Sequence, residues 1–449
     1  MNKKIYIRTF GCQMNVYDSQ VAAGILEHAG FTVVSDDEGA DDSSISRGAD
    51  IVFMNTCSVR DHAEQRVFGR LGMLGQEKEK NPNLIIGLMG CMVEEHREKL
   101  FKRFPQLDLL VGTRNISELP QLIRDVMESR EKASRIKSEG ISIEYSEFTK
   151  RDNSYHAWLP IMTGCNKVCT FCIVPKTRGA EVSMPMEEVL SEAKRLVSNG
   201  VKWITLLGQN VNSYLAPRDA VREKGLFPEL LERLCQIEGL ERLSFTTSHP
   251  SDATEELFQV IARNPKIGRR FHLPLQSGSD KILKRMKRLH NYAEFKAKVD
   301  RLRQLVPDIA ITTDIIVGFP GETEEDYLST KRALEGIRFD GAFIYKYSTR
   351  PGTPAEKLND DIPLDVKASR NNELLGIQRR IVEEKNRECI GKIIPVFVEG
   401  PRIGASGEWL ARTDQDKRII FRTNENFSGK FVKLELAQLY HETFRGKLV

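Results

Sequence analysis

Short apolar runs alternate with stretches of helical periodicity over the first 127 residues. Lys4–Phe10, Phe31–Ser35, Ile51–Asn55, Leu84–Met89 and Leu109–Val111 have the length and composition of strands. Amphipathic patterns fill the spaces between and after them, at Val16–Ala29, Val59–Lys80, Glu94–Phe104 and Ser117–Met127. That rhythm predicts an α/β domain with a doubly wound parallel sheet, covered on both faces. Residues 130–155 are charged and poor in apolar runs, and read as a linker. A second βα series follows, with strands expected at Leu159–Met162, Trp203–Leu207, Arg242–Thr246, Arg270–Leu275, Ile309–Val317 and Ala342–Tyr347. Six such units with right-handed crossovers predict a partial (β/α)6 barrel. Asp365–Cys389 has the pattern of a long polar helix. Residues 390–449 are short-stranded and rich in turn residues, which predicts a small antiparallel β-barrel of OB-like kind.

Composition adds bounds to this picture. A chain of 449 residues exceeds one ordinary core, so two or three domains are expected. It is 40% hydrophobic and 29% charged, the balance of a globular protein, and no apolar run approaches the roughly 20 residues of a membrane span. The amino terminus MNKKIYIRTFGC enters a strand pattern directly, with no secretory signal expected. Eight irregularly spaced cysteines then point to metal binding or catalysis in a reducing cytoplasm rather than to disulfides. The formal charge of +4 is uneven: residues 1–149 carry 19 Lys and Arg against 23 Asp and Glu, and residues 150–449 carry 48 against 40. The basic excess suits a polyanionic partner. The acids DDEGADD at 36–42 read as a solvated loop.

Cys165, Cys169 and Cys172 lie in the run GCNKVCTFC with spacing C-x3-C-x2-C. Three thiolates so close in sequence suit three irons of a cubane 4Fe–4S cluster and leave the fourth iron open, as a catalyst requires. Structural zinc is the competing reading, but it prefers four ligands, and neither a second C-x2-C nor a nearby H-x3-5-H completes such a site. Pairing as a disulfide leaves an odd cysteine. Cys12, Cys57 and Cys91 form a second constellation, each directly after an expected strand. The carboxyl ends of parallel strands share one edge of a sheet, so these thiols are placed to converge on a second cluster. The bland alternative is three buried cysteines acting as small hydrophobes. Cys235 and Cys389 lack comparable partners and read as core.

The runs TFGCQMNVYDS at 9–19, NTCSVRDHAEQRV at 55–67, GLMGCM at 87–92 and IMTGCNKVCTFCIVPKTRGAE at 161–181 together resemble the methylthiotransferase family of radical S-adenosylmethionine (SAM) enzymes. LLGQNVNSY, FTTSHP, LPLQSGSD and DIIVGFPGET continue the resemblance, which covers nearly the whole chain. It implies an N-terminal methylthiotransferase domain over residues 1–130, a linker over 131–154, a radical SAM domain over 155–385 and an RNA-binding TRAM barrel over 386–449. Cys165, Cys169 and Cys172 would hold a SAM-binding 4Fe–4S cluster, and Cys12, Cys57 and Cys91 an auxiliary 4Fe–4S cluster. The NTCSVR and GCQMN forms resemble the branch that inserts a methylthio group at C2 of N6-isopentenyladenosine at position 37 of tRNA, beside the anticodon. SAM would then be both methyl donor and radical source. Sister branches act on threonylcarbamoyladenosine or on a ribosomal protein aspartate. The resemblance further implies a tRNA anticodon stem-loop as partner, an electron donor such as flavodoxin or ferredoxin, a sulfur source for the auxiliary cluster, a cytoplasmic monomer and no membrane.

A SAM site needs an adenine shelf, ribose partners and a carboxylate partner, gathered at strand ends. Gln209 and Asn210, Ser248, Gln276 and Ser277 occupy such positions, Arg288 could meet the SAM carboxylate, and Phe171 is a candidate shelf. Gly318, in the loop Gly318–Glu322, would let backbone amides approach the adenine. His249 and His272 read as satisfied core residues. In the last segment Arg412, Lys417, Arg418 and Arg422 are the RNA-binding candidates, interleaved with Trp409, Phe421, Phe427, Phe431 and Tyr440. Two competing readings are the same chemistry on a protein side chain and a non-catalytic RNA-binding protein with a structural metal.

Overall fold

The computed structural model describes residues 3–34, 48–58, 61–137, 143, 145–214 and 225–449. Ser35, the acidic run at 36–42 and Val59 lie outside them. The chain forms two compact units: Met1–Asn153 with Met162–Asn166 and Ile173–Val182, and Ser154–Ile161 with Lys167–Cys172 and Ser183–Val449.

In the first unit, strands β1 (Lys4–Thr9), β2 (Thr32–Val34), β3 (Ile51–Thr56), β4 (Ile85–Gly90), β5 (Leu109–Val111) and β6 (Ala133–Arg135) form one sheet in the order β2-β1-β3-β4-β5-β6. Every pair in it is parallel. The central strands IVFMNT and IIGLMG are buried along their full length, as expected of strands covered on both faces. Tyr6, Val52, Met54, Ile86, Leu88 and Leu110 pack together under one layer of helices. The strand order reverses between β1 and β3, and the carboxyl edge beside that switch is where doubly wound sheets bind ligands.

Two elements differ from expectation. Strand β6 lies inside the segment read as a linker, because its three residues Ala-Ser-Arg carry no apolar signal. The helix expected over Glu94–Phe104 is two short helices, Cys91–His96 and Lys99–Arg103. Arg97, with φ at 49°, breaks the run.

Strands β8 (Met162–Thr163) and β9 (Val182–Ser183) pair as a short ribbon, and the second unit begins with β7 (His156–Pro160). Five further strands, β10 (Trp203–Leu207), β11 (Arg242–Phe245), β12 (Arg270–His272), β13 (Ala310–Val317) and β14 (Gly341–Lys346), run parallel with β7 in order along the chain. A parallel bridge between Leu243 and Ile267 links the strand sets on either side of it. Helices Met186–Ser198, Phe227–Cys235, Glu255–Arg263, Tyr292–Leu305 and Glu324–Ile337 occupy the crossovers, giving the partial (β/α)6 arrangement. Asn291 with Glu294, and Thr323 with Asp326, close reciprocal N-caps on the last two.

Helix Leu364–Arg387 leads into a closed barrel of β15 (Ile393–Pro401), β16 (Glu408–Arg412), β17 (Arg418–Arg422), β18 (Phe431–Tyr440) and β19 (Thr443–Leu448). Going around the barrel the order is β15-β16-β17-β19-β18, and β17 and β19 are its one parallel pair, which is OB topology. Val396, Val398, Ile419, Phe421, Leu434 and Phe444 fill its interior.

Candidate active site

Cys12 follows β1 by three residues, Cys57 follows β3 directly and Cys91 follows β4 directly. These strands are neighbours, with Thr9 opposite Asn55 and Thr56 opposite Gly90, so register alone brings the three thiols to one edge. Gly11 and Gly90 make the turns at positive φ, 138° and 97°. Asn15 and Asn55 clamp the edge from beneath: Asn15 Nδ2 donates to Asn55 Oδ1 at 2.8 Å, and Asn55 Nδ2 to the Asn15 carbonyl at 2.8 Å.

The thiols feel one another and a buried cation. A hydrogen bond from Cys57 pulls the Cys12 thiol down to about 6; burial opposes this, and Arg178 and the Asn15 amide reinforce it. Burial pushes the Cys91 thiol up, and Arg178 partly offsets it. Arg178, 4% exposed, donates from Nε to Cys91 Sγ at 3.3 Å and from Nη2 to Asp18 Oδ2 at 2.7 Å. Three soft donors with a countercharge, none engaged in a disulfide, fit an iron–sulfur cluster. Sequence reasoning missed Arg178 and Asp18, because nothing local says that residues so distant in the chain meet.

Each part of the C-x3-C-x2-C loop is held within its own unit. The Cys165 amide donates to the Gly179 carbonyl at 3.2 Å. In the second unit, the Thr170 amide donates to the Met286 carbonyl and the Cys172 amide to the Cys169 carbonyl. All three thiols are half-buried and free of disulfides, which suits a cluster with an accessible open iron. Arg288, expected at a carboxylate, instead donates from Nη1 to Cys169 Sγ at 3.3 Å and from Nη2 to the Pro274 carbonyl at 3.0 Å. Phe171 is half-buried against Ile282, Met286 and Phe319.

The strand-end polar residues divide into two groups. Asn210, Ser248 and Gln276 are buried after β10, β11 and β12, and Asn210 Oδ1, Ser248 Oγ and Gln276 Oε1 have no hydrogen-bond partner among the described residues. Burying polar atoms unpaired is costly, and hydroxyls or an ammonium of the kind SAM carries would fit these three. Asn210 Nδ2 donates to Asp252, which also receives Lys167 of the cysteine loop at 2.8 Å. Gln209 is half-buried at the same strand end. Ser277 belongs to the other group. Its hydroxyl is fully buried against Thr330 and accepts from the Ser279 amide, so it is consumed in holding the turn. Gly318 has φ of 70° and packs closely on Lys367, whose side chain would lie 2.3 Å from a Cβ at residue 318.

His249 was read as satisfied core, and one side of its ring is: Nδ1 bonds Ser251 Oγ at 2.7 Å. Its Nε2 is buried without a partner among the described residues, and burial with Arg288 and Lys167 pushes the ring down to about 2, so it is neutral. His272 is satisfied by Thr312 and Asp314, as expected.

On the barrel, three of the four cationic candidates have partners; Arg422, the most exposed of them, lies 3.5 Å from Glu408. Arg412 pairs with Glu399 and Asp416 inside the barrel, and Lys417 donates to Asn386 Oδ1 at 2.5 Å, which ties the barrel to the helix before it. Arg242, buried over Trp203, completes that seam by donating to the Thr413 carbonyl at 2.9 Å. Arg418 and Arg422 are exposed, as are Phe431 and Tyr440, whereas Phe421 is core.

Known proteins match the chain in the same divisions. Residues 159–334 match the Radical SAM superfamily, and residues 4–112 match the uncharacterized protein family UPF0004. The tRNA-2-methylthio-N(6)-dimethylallyladenosine synthase of Carboxydothermus hydrogenoformans is 43% identical over 98% of this chain and 98% of its own. That of Dictyoglomus thermophilum is 41% identical over 99% and 98%. Among solved structures, the radical S-adenosylmethionine methyltransferase TsrM from Kitasatospora setae aligns with a TM-score of 0.55 at 14% identity, covering 79% of this chain and 77% of its own. The cobalamin-dependent radical enzyme OxsB aligns with a TM-score of 0.53, also at 14% identity, over 85% and 56%. These two likenesses concern the fold. Matched by relatives more than 40% identical along almost its entire length, the chain belongs to the radical SAM methylthiotransferase family, on the branch of the tRNA-2-methylthio-N(6)-dimethylallyladenosine synthases.

Proposed function

We propose that this protein transfers a methylthio group to C2 of N6-isopentenyladenosine at position 37 of tRNA, next to the anticodon. The observation that carries the reading is the meeting of Cys12, Cys57 and Cys91 on one sheet edge in a chain that also holds the C-x3-C-x2-C loop. A simple SAM-cleaving enzyme needs the loop alone; inserting sulfur calls for a second thiol set. The adenine C2–H has no acidic proton, so general acid–base chemistry cannot activate it. When bound, two 4Fe–4S clusters and SAM supply the electron, the hydrogen-abstracting radical and the methylthio group.

The chain's own residues bind and orient these groups. Cys165, Cys169 and Cys172 would hold the SAM-binding cluster, and Cys12, Cys57 and Cys91 the auxiliary one. Arg288 fixes Cys169 by a hydrogen bond. Asn210, Ser248 and Gln276 offer their unpaired atoms to SAM, with Gln209 beside them, while Phe171 and its apolar neighbours border the loop. Arg418 and Arg422, and separately Phe431 and Tyr440, are exposed on the barrel and offer charge and aromatic surface to an RNA loop. A cytoplasmic electron donor such as flavodoxin or ferredoxin and a sulfur source complete the system. No helix among the described residues is long and apolar enough to cross a membrane.

The test is nucleoside analysis of tRNA from cells with and without the gene. The 2-methylthio form of isopentenyladenosine should vanish and its unthiolated precursor accumulate. Unchanged 2-methylthio content removes the proposal in favour of a protein side chain.

A further inference from the structure

Arg178 is unusual in its surroundings. Its guanidinium is wholly enclosed, and it spends one nitrogen on a cysteine sulfur and another on Asp18, itself 3% exposed. An arginine guanidinium keeps its charge in proteins, so Arg178 brings a fixed positive charge to the Cys91 sulfur, with the Asp18 carboxylate behind it. The backbone around Arg178 is pinned as well: Arg114 Nη2 donates to the Arg178 carbonyl at 2.9 Å, and the next carbonyl, Gly179, accepts from the Cys165 amide. One dipeptide thus touches both cysteine sets, its side chain on Cys91 and its backbone on Cys165.

A fold that needed only a salt bridge here would gain little from it, since buried pairs rarely repay their desolvation. A cation donating a hydrogen bond to a ligand sulfur does something else. It stabilises whichever oxidation state carries more negative charge, and hydrogen bonds to sulfur and local charge are principal determinants of cluster potential. The anion behind it moderates the effect, because its field at the sulfur has the opposite sign.

We infer that the Arg178–Asp18 pair sets the reduction potential of the auxiliary centre, Arg178 raising it and Asp18 restraining it. The inference rests on the proposed cluster at Cys12, Cys57 and Cys91. Arg178 is here a positioning residue: it acts through the Cys91 sulfur and on no substrate.

The test uses the full chain with Cys165, Cys169 and Cys172 replaced by alanine, reconstituted anaerobically, so that only the auxiliary cluster remains. Arg178→Gln, Arg178→Lys and Asp18→Asn are added singly. Iron and sulfide content reports occupancy, and a mediated redox titration followed by electron paramagnetic resonance reports the midpoint potential. Arg178→Gln should lower the potential and Asp18→Asn raise it, with Arg178→Lys between glutamine and the parent. Equal potentials throughout, or shifts of the same sign for Arg178→Gln and Asp18→Asn, would mean a purely structural pair and overturn the inference. If Arg178→Gln fails to hold a cluster, Arg178→Lys and Asp18→Asn decide it by the same opposition of sign. A parent protein that holds no iron fails differently, because it overturns the functional reading itself.

Discussion

Gly11 stands so close to Cys57 that a Cβ at residue 11 would lie 2.5 Å from the Cys57 Cβ. Its φ of 138° adds a second reason for glycine. Gly11→Ala should therefore cost about 2 kcal/mol and displace Cys57 from its partners. Chemical denaturation reads the stability, and iron content after reconstitution reads the site. A variant with parental stability and full iron loading would contradict the placement of these two residues.

Cys12→Ala should leave SAM cleavage intact while ending methylthio insertion, with iron falling from about eight to about four atoms per chain. Release of 5′-deoxyadenosine under dithionite, measured beside nucleoside analysis of a tRNA substrate, separates the two activities. Complete loss of SAM cleavage would show that the two thiol sets are not independent.

Ser248→Ala removes a buried hydroxyl that no described protein atom uses. Stability should then stay within about 0.5 kcal/mol of the parent, while SAM affinity falls about tenfold, the loss of one hydrogen bond. Thermal unfolding and equilibrium binding of SAM give the two numbers. Destabilisation with unchanged SAM affinity would assign Ser248 to the core.

The barrel cations should separate by role. Arg422→Ala should lower the slope of log affinity against log salt for an anticodon stem-loop by about 1, without changing the melting temperature. Arg412→Ala should instead cost about 1–2 kcal/mol of stability, through loss of its pairing with Glu399 and Asp416, and leave the slope alone. Exchanged outcomes would place the RNA on the opposite face of the barrel.

Legibility in the sequence followed the range of the forces involved. Alternating hydrophobicity is local, so Trp203–Leu207 and Leu109–Val111 fall where the pattern puts them, and cysteines just after strands are visible as such. Ala133–Arg135 carries no such signal and owes its pairing to β5. Charge was the least legible. Arg178, Arg412 and Lys417 look like ordinary surface cations in sequence, yet one is enclosed beside a thiol, one is paired inside the barrel and one ties the barrel to the preceding helix. Ser277 occupies a strand end where a ligand belongs, but tertiary neighbours claim it first.

The two thiol sets differ in what must exist before they can bind iron. Cys165, Cys169 and Cys172 lie within a single short loop, close together even in an unfolded chain. Cys12, Cys57 and Cys91 become neighbours only when β1, β3 and β4 have paired in register. On the proposed assignment of the two thiol sets, sulfur insertion depends on the integrity of one sheet in a way that SAM cleavage does not. Heat, a nicked loop or a mutation that loosens those strands would first yield an enzyme that burns SAM without thiolating anything.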